Sequence, residues 1–336
     1  MHKRGIGLIV FAASLTMAFL AAEVSLRVLS RFWLHVFDVE MWRYARLIKV
    51  LSPVPGVVEE QKPNAETHLM GVRVRTDEHG FRRADPVTER SRRPNRRVAV
   101  AVGDSLTLGW GVPEGQTFPD QLENLLSARC SDAGGSAVTV YNGGIGNCNT
   151  AMELARYRRR IRPNLRPDWV ILGFCFNDAE PDAVPNTNPV LWHSALLSLG
   201  YSRFLKLWDS GIRNYRDYYV GLYRDGLPGW ERAKQALREF GALLRADHVP
   251  ATLILMPELH DPHDRSIAEA FSRVAAIAGS SGFEVIDPTG DFPPGSGERY
   301  WVSPEDAHPN AAAQAIYAHA LTRSRFACSR ENRSPD

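Results

Sequence analysis

Two residues that lie far apart in the sequence, Ser105 and His308, carry the side chains that nucleophilic acyl transfer requires. A serine hydroxyl is a poor nucleophile until a neighbouring base takes its proton. Ser105 follows the apolar run RVAVAV and the pair Gly103-Asp104, while His308 lies in the segment DAHPN just before a predicted helix. We therefore predict that Ser105 is a nucleophile and that His308 is its general base.

Two further polar clusters contain groups suited to stabilising an oxyanion, the glycine-rich run NGGIGNCNT at 142–150 and the pair Asn177-Asp178. A tetrahedral intermediate of acyl transfer needs hydrogen-bond donors for its oxyanion. The backbone N–H of Ser105, a backbone N–H of the glycine-rich run and the side-chain amide of Asn177 can supply them. Asp104 is expected to order the turn around Ser105 through backbone hydrogen bonds, with a role as a second acid as the alternative.

The elements that must position these clusters alternate between strands and helices from residue 97 onward, which favours a parallel sheet covered by helices on both faces. In such a sheet the active crevice lies beyond the carboxyl ends of the strands, where these clusters fall. The predicted strands are Arg97–Val102, Ala137–Tyr141, Trp169–Phe174, Ala251–Met256 and Phe283–Ile286. The predicted helices are Thr117–Arg129, Thr150–Leu165, Trp230–Ala246, Asp264–Ser280 and Asn310–Phe326.

Over residues 97–325 the sequence resembles the SGNH (GDSL) hydrolase family. GDSLTLG resembles its first block, NGGIGNCNT its second, Asn177-Asp178 its third, and Asp306 with His308 its last. The resemblance implies a flavodoxin-like three-layer α/β/α sandwich with about five parallel strands, and a serine esterase, lipase, thioesterase, deacetylase or acyltransferase. It also implies that no metal or organic cofactor is needed.

The sequence departs from the family pattern at three places. Asn147 stands where the second block has its oxyanion glycine, with Gly146 just before it, so either backbone N–H is a candidate donor. Cys175 replaces a glycine of the third block. In the last block Asp306 is only two positions before His308, and Glu305 occupies the usual place of the acid. We predict Asp306 as the triad acid, with Glu305 as the alternative.

The N-terminus predicts the compartment. A short basic start, HKR, precedes the uncharged stretch Gly5–Ala22. As a helix this stretch is nearly long enough to span the hydrocarbon layer of a bilayer, and the basic start favours a cytoplasmic N-terminus. We predict an uncleaved signal-anchor over 1–29, with a signal peptide cleaved after Ala22 or a buried core helix as alternatives. Either membrane interpretation places the remaining chain outside the cytoplasm.

The rest of the chain divides into a juxtamembrane and lead-in segment at 30–96, a hydrolase domain at 97–327 and a tail at 328–336. Trp33, Trp42 and Tyr44 are expected near the membrane interface, and VRVRT at 72–76 alternates like a short strand. An aromatic-rich insertion at about 179–229 interrupts the βα alternation. Its rings are expected either to line the ligand crevice, against sugar rings or acyl chains, or to form a small core of their own.

Charge and cysteine content restrict the remaining classes. The net charge of +2 predicts no nucleic-acid partner, and the nine arginines between Arg73 and Arg97 are interpreted as a solvated linker that can touch anionic headgroups. No CxxC pair occurs, so a zinc site is not expected, and HDPHD at 260–264 is interpreted as a polar loop. One disulfide is allowed in an exported protein, while Cys148 and Cys175 are expected to be small packing residues.

These features together predict a membrane-anchored extracytoplasmic serine esterase that acts on O-acyl esters of a glycan, lipid or small molecule. Secretion after signal cleavage is the alternative localisation. An acyltransferase that moves the acyl group to a sugar hydroxyl would use the same residues. A non-catalytic glycan-binding domain on the same frame is the third hypothesis.

Overall fold

The chain begins with a long helix, α1 (His2–Phe32), whose stretch from Gly5 to Ser30 is apolar and has no side chain buried in its most apolar part. The computed structural model describes residues 2–32, 35–83, 96–132, 138–208 and 215–328. A helix of this length and composition can cross a membrane, and a signal sequence has the same properties. The helix therefore fits both the predicted signal-anchor and the predicted signal peptide.

The next segment, residues 35–83, is a folded layer rather than an irregular lead-in. It contains two antiparallel hairpins and a helix: α2 (Phe37–Leu47), β1 (Lys49–Leu51), β2 (Glu59–Gln61), β3 (Glu66–Leu69) and β4 (Val72–Arg75). The predicted strand at 72–76 is confirmed as β4. The expectation that Tyr44 lies at the membrane interface is wrong, because its side chain is fully buried. Trp33 lies outside the described residues.

At least one arginine of the arginine-rich stretch, Arg82, is buried and bonded within the folded domain. Arg82 is buried and forms a bridge to Asn142 of the central sheet. Its guanidinium donates hydrogen bonds to the carbonyls of Leu108 (2.9 Å) and Val112 (2.5 Å). Arg82 is therefore a buried connector and not part of a solvated linker. The arginines between 84 and 95 lie outside the described residues.

Five parallel strands form the central sheet, in the order β6-β5-β7-β8-β9. They are β5 (Arg97–Gly103), β6 (Val138–Gly144), β7 (Trp169–Phe174), β8 (Ala251–Leu255) and β9 (Glu284–Ile286). The register pairs Gly103 with Gly144 at the carboxyl ends of β5 and β6. This order is flavodoxin-like, and the five predicted strands are confirmed with small shifts at their ends. β6 runs three residues further than predicted because its Asn-Gly-Gly end continues the ladder with β5.

Helices cover both faces of the sheet, which gives three layers. Trp230 and Phe240 are fully buried in the core on one face, and Phe118 and Tyr317 in the core on the other. The helices of the first face are α5 (Thr150–Arg156), α6 (Arg162–Leu165), α10 (Pro228–Ala246) and α11 (Arg265–Ser280), and those of the second are α4 (Phe118–Asp132) and α12 (Ala311–Leu321). A wider π turn, Tyr157–Ile161, joins α5 to α6 where a single helix was predicted.

The insertion after β7 is helical in its described part. It begins with a 3₁₀ turn, Phe176–Ala179, and continues as α7 (Pro189–His193), α8 (Ala195–Trp208) and α9 (Tyr215–Leu222). Helix α8 packs against α1 and α2, so the insertion contacts the N-terminal layer as well as the sheet. The Tyr219 and Phe176 rings of the insertion line the crevice described below, whereas Tyr223 is buried in the core. Tyr219 thus takes the first of the two predicted roles, whereas Tyr223 belongs to the core of the sheet and not to a separate core of the insertion.

The four cysteines divide into one bond and two buried thiols. Cys130, in α4, forms a disulfide with Cys328 near the carboxyl end of the described chain. Cys148 and Cys175 are free and buried, as expected of packing residues. The disulfide attaches Cys328, the last described residue, to helix α4. The expected division of the chain at residues 29, 96 and 327 stays a prediction.

Candidate active site

Ser105 lies two residues beyond the end of β5, at the first position of a short helix, α3 (Ser105–Leu108). Asp104 caps this helix, because its carboxylate accepts the backbone N–H of Leu106 at 2.8 Å. The helix sits directly on the sheet, and a Cβ at Gly144 would lie 2.1 Å from the Leu108 nitrogen. The glycine of β6 therefore allows α3 to hold the half-buried Ser105 at the sheet edge.

His308 lies on β11 (Asp306–Pro309), which pairs with β10 (Trp301–Ser303) ahead of α12. Its Nε2 is 3.0 Å from the Ser105 hydroxyl oxygen, and its Nδ1 is 2.5 Å from an Asp306 carboxylate oxygen. The Asp306 carboxylate also accepts the backbone N–H of His308 at 3.1 Å and the indole N–H of Trp110 at 3.0 Å. Glu305 is exposed and makes no hydrogen bond to His308 in the described chain.

Asp306 and His308 each stabilise the charged form of the other. Burial alone would raise the pKa of Asp306, but the hydrogen bonds from His308 and its charge outweigh burial and lower that pKa. Burial alone would lower the pKa of His308, but the Asp306 carboxylate outweighs it and raises that pKa above its usual value. The arrangement therefore favours an imidazole that gains a proton readily from a neighbouring hydroxyl.

One aromatic ring from the N-terminal layer and one from the loop after α3 pack on the imidazole. The Phe37 ring stacks on His308 with centroids 5.8 Å apart, and Trp110 packs at 6.2 Å. Tyr44 in turn packs edge-on against Trp110 at 5.5 Å. Sequence reasoning missed Phe37, Tyr44 and Trp110, because nothing in their spacing connects them with His308.

The candidate oxyanion donors are only partly free. The Gly146 N–H donates to the hydroxyl of the buried Tyr44 at 3.2 Å, although the loop lies beside Ser105. Asn147 has a left-handed backbone, with φ of 66°, a conformation that asparagine tolerates better than most non-glycine residues. Its backbone N–H makes no hydrogen bond within the described residues. The Asn177 side chain lies in the same crevice as Ser105, and its amide N–H₂ donates to Asp104 at 3.3 Å.

A group of buried carboxyls lies beneath Ser105. One Asp104 oxygen accepts the Ser105 hydroxyl at 3.3 Å and the Cys175 thiol at 3.2 Å. Asp178 accepts the Thr150 hydroxyl at 2.9 Å, and burial together with the Asp104 charge raises its pKa to about 8. Burial and the same neighbouring carboxylates raise the pKa of Glu153 well above its usual value. Asp104 is the member of this group that contacts the serine, and its bond to the Leu106 N–H is in keeping with its predicted role in the turn.

The crevice above Ser105 has a volume of about 410 Å³. Its wall includes the pair Glu258 and His260, whose carboxylate and ring nitrogen are hydrogen bonded, and the Trp301 ring beside His260 at 4.8 Å. Among the described residues no group of three or more His, Cys, Asp or Glu is arranged to hold a metal ion. The crevice is lined by Phe37, Ser105, Leu106, Phe176, Asn177, Tyr219, Pro257, Glu258, Leu259, His260, Trp301, Pro304, Glu305, Asp306, Ala307, His308 and Pro309.

Residues 101–316 match the family of GDSL-like lipases and acylhydrolases. Among solved structures, the chain is similar to the lipase Lip_vut3 from a goat rumen metagenome (14% identity, 68% of this chain and 98% of that one, TM-score 0.47). It is also similar to a lipase/acylhydrolase from Enterococcus faecalis, at 16% identity over 68% of this chain and 94% of that one, with a TM-score of 0.41. A third similar structure is a variant of the acetyl xylan esterase Axe2 from Geobacillus stearothermophilus, at 16% identity over 71% of this chain and 97% of that one, with a TM-score of 0.44. No curated protein matches the sequence.

Proposed function

Because the chain belongs to the GDSL-like lipase/acylhydrolase family, we propose that it is a serine ester hydrolase with Ser105 as nucleophile, His308 as base and Asp306 as acid. The observation that carries this proposal is the unbroken chain of contacts from the Ser105 hydroxyl through both ring nitrogens of His308 to Asp306. A nucleophile, a base and an orienting carboxylate in this order are the parts of a serine triad. They open onto a crevice large enough for a small ester.

The reaction proceeds in two halves. The Ser105 oxygen attacks the ester carbonyl while its proton passes to Nε2 of His308. The tetrahedral intermediate collapses when His308 returns that proton to the leaving alkoxide, which departs as an alcohol and leaves an acyl-serine. Water then attacks the acyl-serine, with His308 again as base, and releases the carboxylic acid and free Ser105. Asp306 holds the imidazole with Nε2 facing Ser105 and stabilises the imidazolium in both halves.

The oxyanion is proposed to accept hydrogen bonds from the backbone N–H groups of Ser105 and Asn147 and from the Asn177 amide. Asn147 is preferred over Gly146, because the Gly146 N–H already donates to Tyr44. Asn177 would exchange its 3.3 Å contact with Asp104 for the oxyanion. These donors carry no net charge, so they favour the intermediate without retaining an anionic product.

The substrate is proposed to be an O-acyl ester of an extracytoplasmic glycan or lipid, met by a domain that α1 anchors to the membrane. The apolar helix supports anchoring, and the Cys130–Cys328 bond is typical of an oxidising compartment. Aromatic rings of Phe176, Tyr219 and Trp301 offer apolar walls for an acyl group or a sugar face.

The proposal is tested on the full chain in neutral detergent with p-nitrophenyl acetate and butyrate, together with labelling by a fluorophosphonate probe. We expect turnover and labelling in the parent protein, and loss of both in Ser105→Ala and of turnover in His308→Ala. Ser280→Ala, on the exposed end of α11, is the matched control and should behave as the parent does.

The outcomes separate the three functional hypotheses. Absence of turnover with every ester, combined with absence of labelling at Ser105, would reject both enzymatic hypotheses and leave a glycan-binding domain. Labelling with slow hydrolysis, together with acyl transfer to an added oligosaccharide, would identify an acyltransferase instead of a hydrolase.

A further inference from the structure

A second pocket, of about 290 Å³, lies between the end of α1, helix α2 and the start of α8, and it shares no lining residue with the crevice around Ser105. Its walls carry three arginines, Arg27 from α1 and Arg43 and Arg46 from α2. Three guanidinium groups around one small pocket are the donor set with which proteins bind phosphate.

The positive charge of this pocket is not fully compensated. Arg27 is paired with Glu23 and Arg43 with Glu40, each at 2.5 Å. Arg46 has no carboxylate partner in the described chain, and its Nε is buried without a hydrogen-bond acceptor. Three guanidinium groups therefore face two carboxylates, and the Nε of Arg46 is a buried donor that lacks an acceptor.

The contacts around Arg46 supply no compensating negative charge. Its Nη1 lies 3.0 Å from Nδ1 of His193, a hydrogen-bond partner without a carboxylate. Burial and the neighbouring charges of Arg43 and Arg27 lower the pKa of Arg46. A bound anion would relieve this repulsion and complete the hydrogen bonding of Arg46.

The position of the pocket along α1 corresponds to the level of lipid headgroups. The eighteen uncharged residues Gly5–Ala22 span about 27 Å as a helix, close to the thickness of the hydrocarbon layer of a bilayer. Arg27 follows about one and a half turns later, where the headgroups begin. Arginines at this depth meet lipid phosphates.

Helix α8 forms the other side of the pocket and has apolar side chains that the protein leaves exposed. Leu207 is 84% exposed and Phe204 56% exposed. The start of the same helix is attached to α1, because the Glu23 carboxylate accepts the backbone N–H groups of Ala195 (2.9 Å) and Leu196 (2.8 Å). An amphipathic helix fixed beside a membrane-spanning helix is suited to lie in the bilayer interface.

We propose that this pocket binds the phosphate headgroup of an anionic phospholipid, with its acyl chains beside α1 and the exposed apolar side of α8. The inference rests on the proposed membrane anchoring, but it does not depend on ester hydrolysis. The bound lipid would fix α1, α2 and the insertion as one unit at the membrane surface. The crevice around Ser105 would then have a constant orientation toward the bilayer, because Phe37 at the start of α2 packs on His308.

The test uses the full chain in uncharged maltoside micelles and measures the midpoint of thermal unfolding, Tm. A ligand that binds only the folded state raises Tm with its concentration. We expect short-chain phosphatidylglycerol to raise Tm by roughly 5 °C at saturation. Inorganic phosphate, and diacylglycerol that lacks phosphate, should each produce a much smaller increase.

Arg46→Gln should need at least about tenfold more phosphatidylglycerol for the same increase in Tm, since it removes a charge-assisted contact. Arg238→Gln, on the exposed side of α10, is the matched control and should respond as the parent does. Arg46→Lys keeps the charge without the planar fork and should give an intermediate response. A cooperative thermal transition of each variant in the absence of lipid, with Tm close to that of the parent, verifies that the variant is folded.

Two results would overturn the inference. An equal response of Arg46→Gln and the parent would remove the pocket as the lipid site, and an equal effect of inorganic phosphate would replace the lipid with a free anion. A protein that binds the lipid but hydrolyses no ester would leave this inference standing and reject the proposed function. The two failures are therefore distinguishable.

Discussion

At the scale of single residues, the acid of the candidate triad occupies an unusual position in the sequence. Asp306 is two residues before His308 on the same short strand, β11, and still reaches Nδ1 of the imidazole at 2.5 Å. The indole N–H of Trp110 holds its second oxygen. The close spacing is compatible with a triad because Trp110 fixes the carboxylate from the other side.

The first prediction concerns the choice between the two neighbouring carboxylates. Asp306→Asn should lower kcat/KM for p-nitrophenyl acetate by about 10³- to 10⁴-fold, because the amide favours the wrong tautomer of His308. Glu305→Gln should change it less than about threefold, since Glu305 is exposed and apart from the imidazole. Steady-state kinetics of both variants measures kcat/KM. A larger loss of kcat/KM in Glu305→Gln than in Asp306→Asn would make Glu305 the acid of the triad instead of Asp306.

The second prediction concerns pH. His308 must be neutral to accept the Ser105 proton, and the Asp306 carboxylate raises the pKa of His308. The acid limb of the kcat/KM profile should therefore have its midpoint above 6.5, with activity gained as pH rises. In Asp306→Asn the midpoint of the residual activity should move to lower pH. If the midpoint of this variant equalled that of the parent, the Asp306 carboxylate would not be the cause of the raised midpoint.

At the scale of elements, the strands of the sheet and most of its helices were predictable, whereas the layer 35–83 that packs over the candidate triad was not. Buried runs such as Trp169–Phe174 carry a strong apolar signal, so the five strands were located from the sequence to within a few residues. The family resemblance is likewise confirmed. Layer 35–83 was missed except for β4, because its strands have only three or four residues. The contacts of Tyr44 and Phe37 with the site join residues more than a hundred positions apart, which no local pattern encodes.

The third prediction tests this layer through Tyr44. Its hydroxyl accepts the Gly146 N–H at 3.2 Å and the Gln61 amide at 3.1 Å. Tyr44→Phe should cost about 1–3 kcal/mol in the free energy of unfolding, because two buried donors lose their acceptor. It should also lower kcat by relaxing the loop beside Asn147. Chemical denaturation and kinetics measure both effects, and Tyr201→Phe, half exposed on α8, is the control. Parent-like stability would mean that the hydroxyl bond does not hold the loop.

At the scale of the whole molecule, one disulfide joins Cys328, the last described residue, to helix α4. The Cys130–Cys328 disulfide encloses a sequence separation of 198 residues, which includes four of the five sheet strands and both members of the His308–Asp306 pair. Its main effect is expected on the unfolded chain, whose freedom it restricts.

The fourth prediction follows from this bond. Cys130→Ser should lower the free energy of unfolding by about 2–5 kcal/mol, with little change in kcat/KM at temperatures where the fold is intact. A reducing agent should lower Tm of the parent protein and leave Tm of the variant unchanged. Ser280→Ala serves as the surface control. If reduction left the parent Tm unaltered, the bond would not contribute to stability.

The short connection between α1 and α2 limits how far the candidate active site can lie from the end of α1. Phe32, the last residue of α1, and Phe37, which packs on the imidazole, are five positions apart in the sequence, and five residue steps extend at most about 18 Å. An anchored protein would thus carry out its chemistry in a thin shell next to the bilayer. Acyl groups borne by membrane-bound molecules would meet Ser105 at a high effective concentration. Esters on polymers beyond this shell would be reached only when the polymer itself approached the membrane.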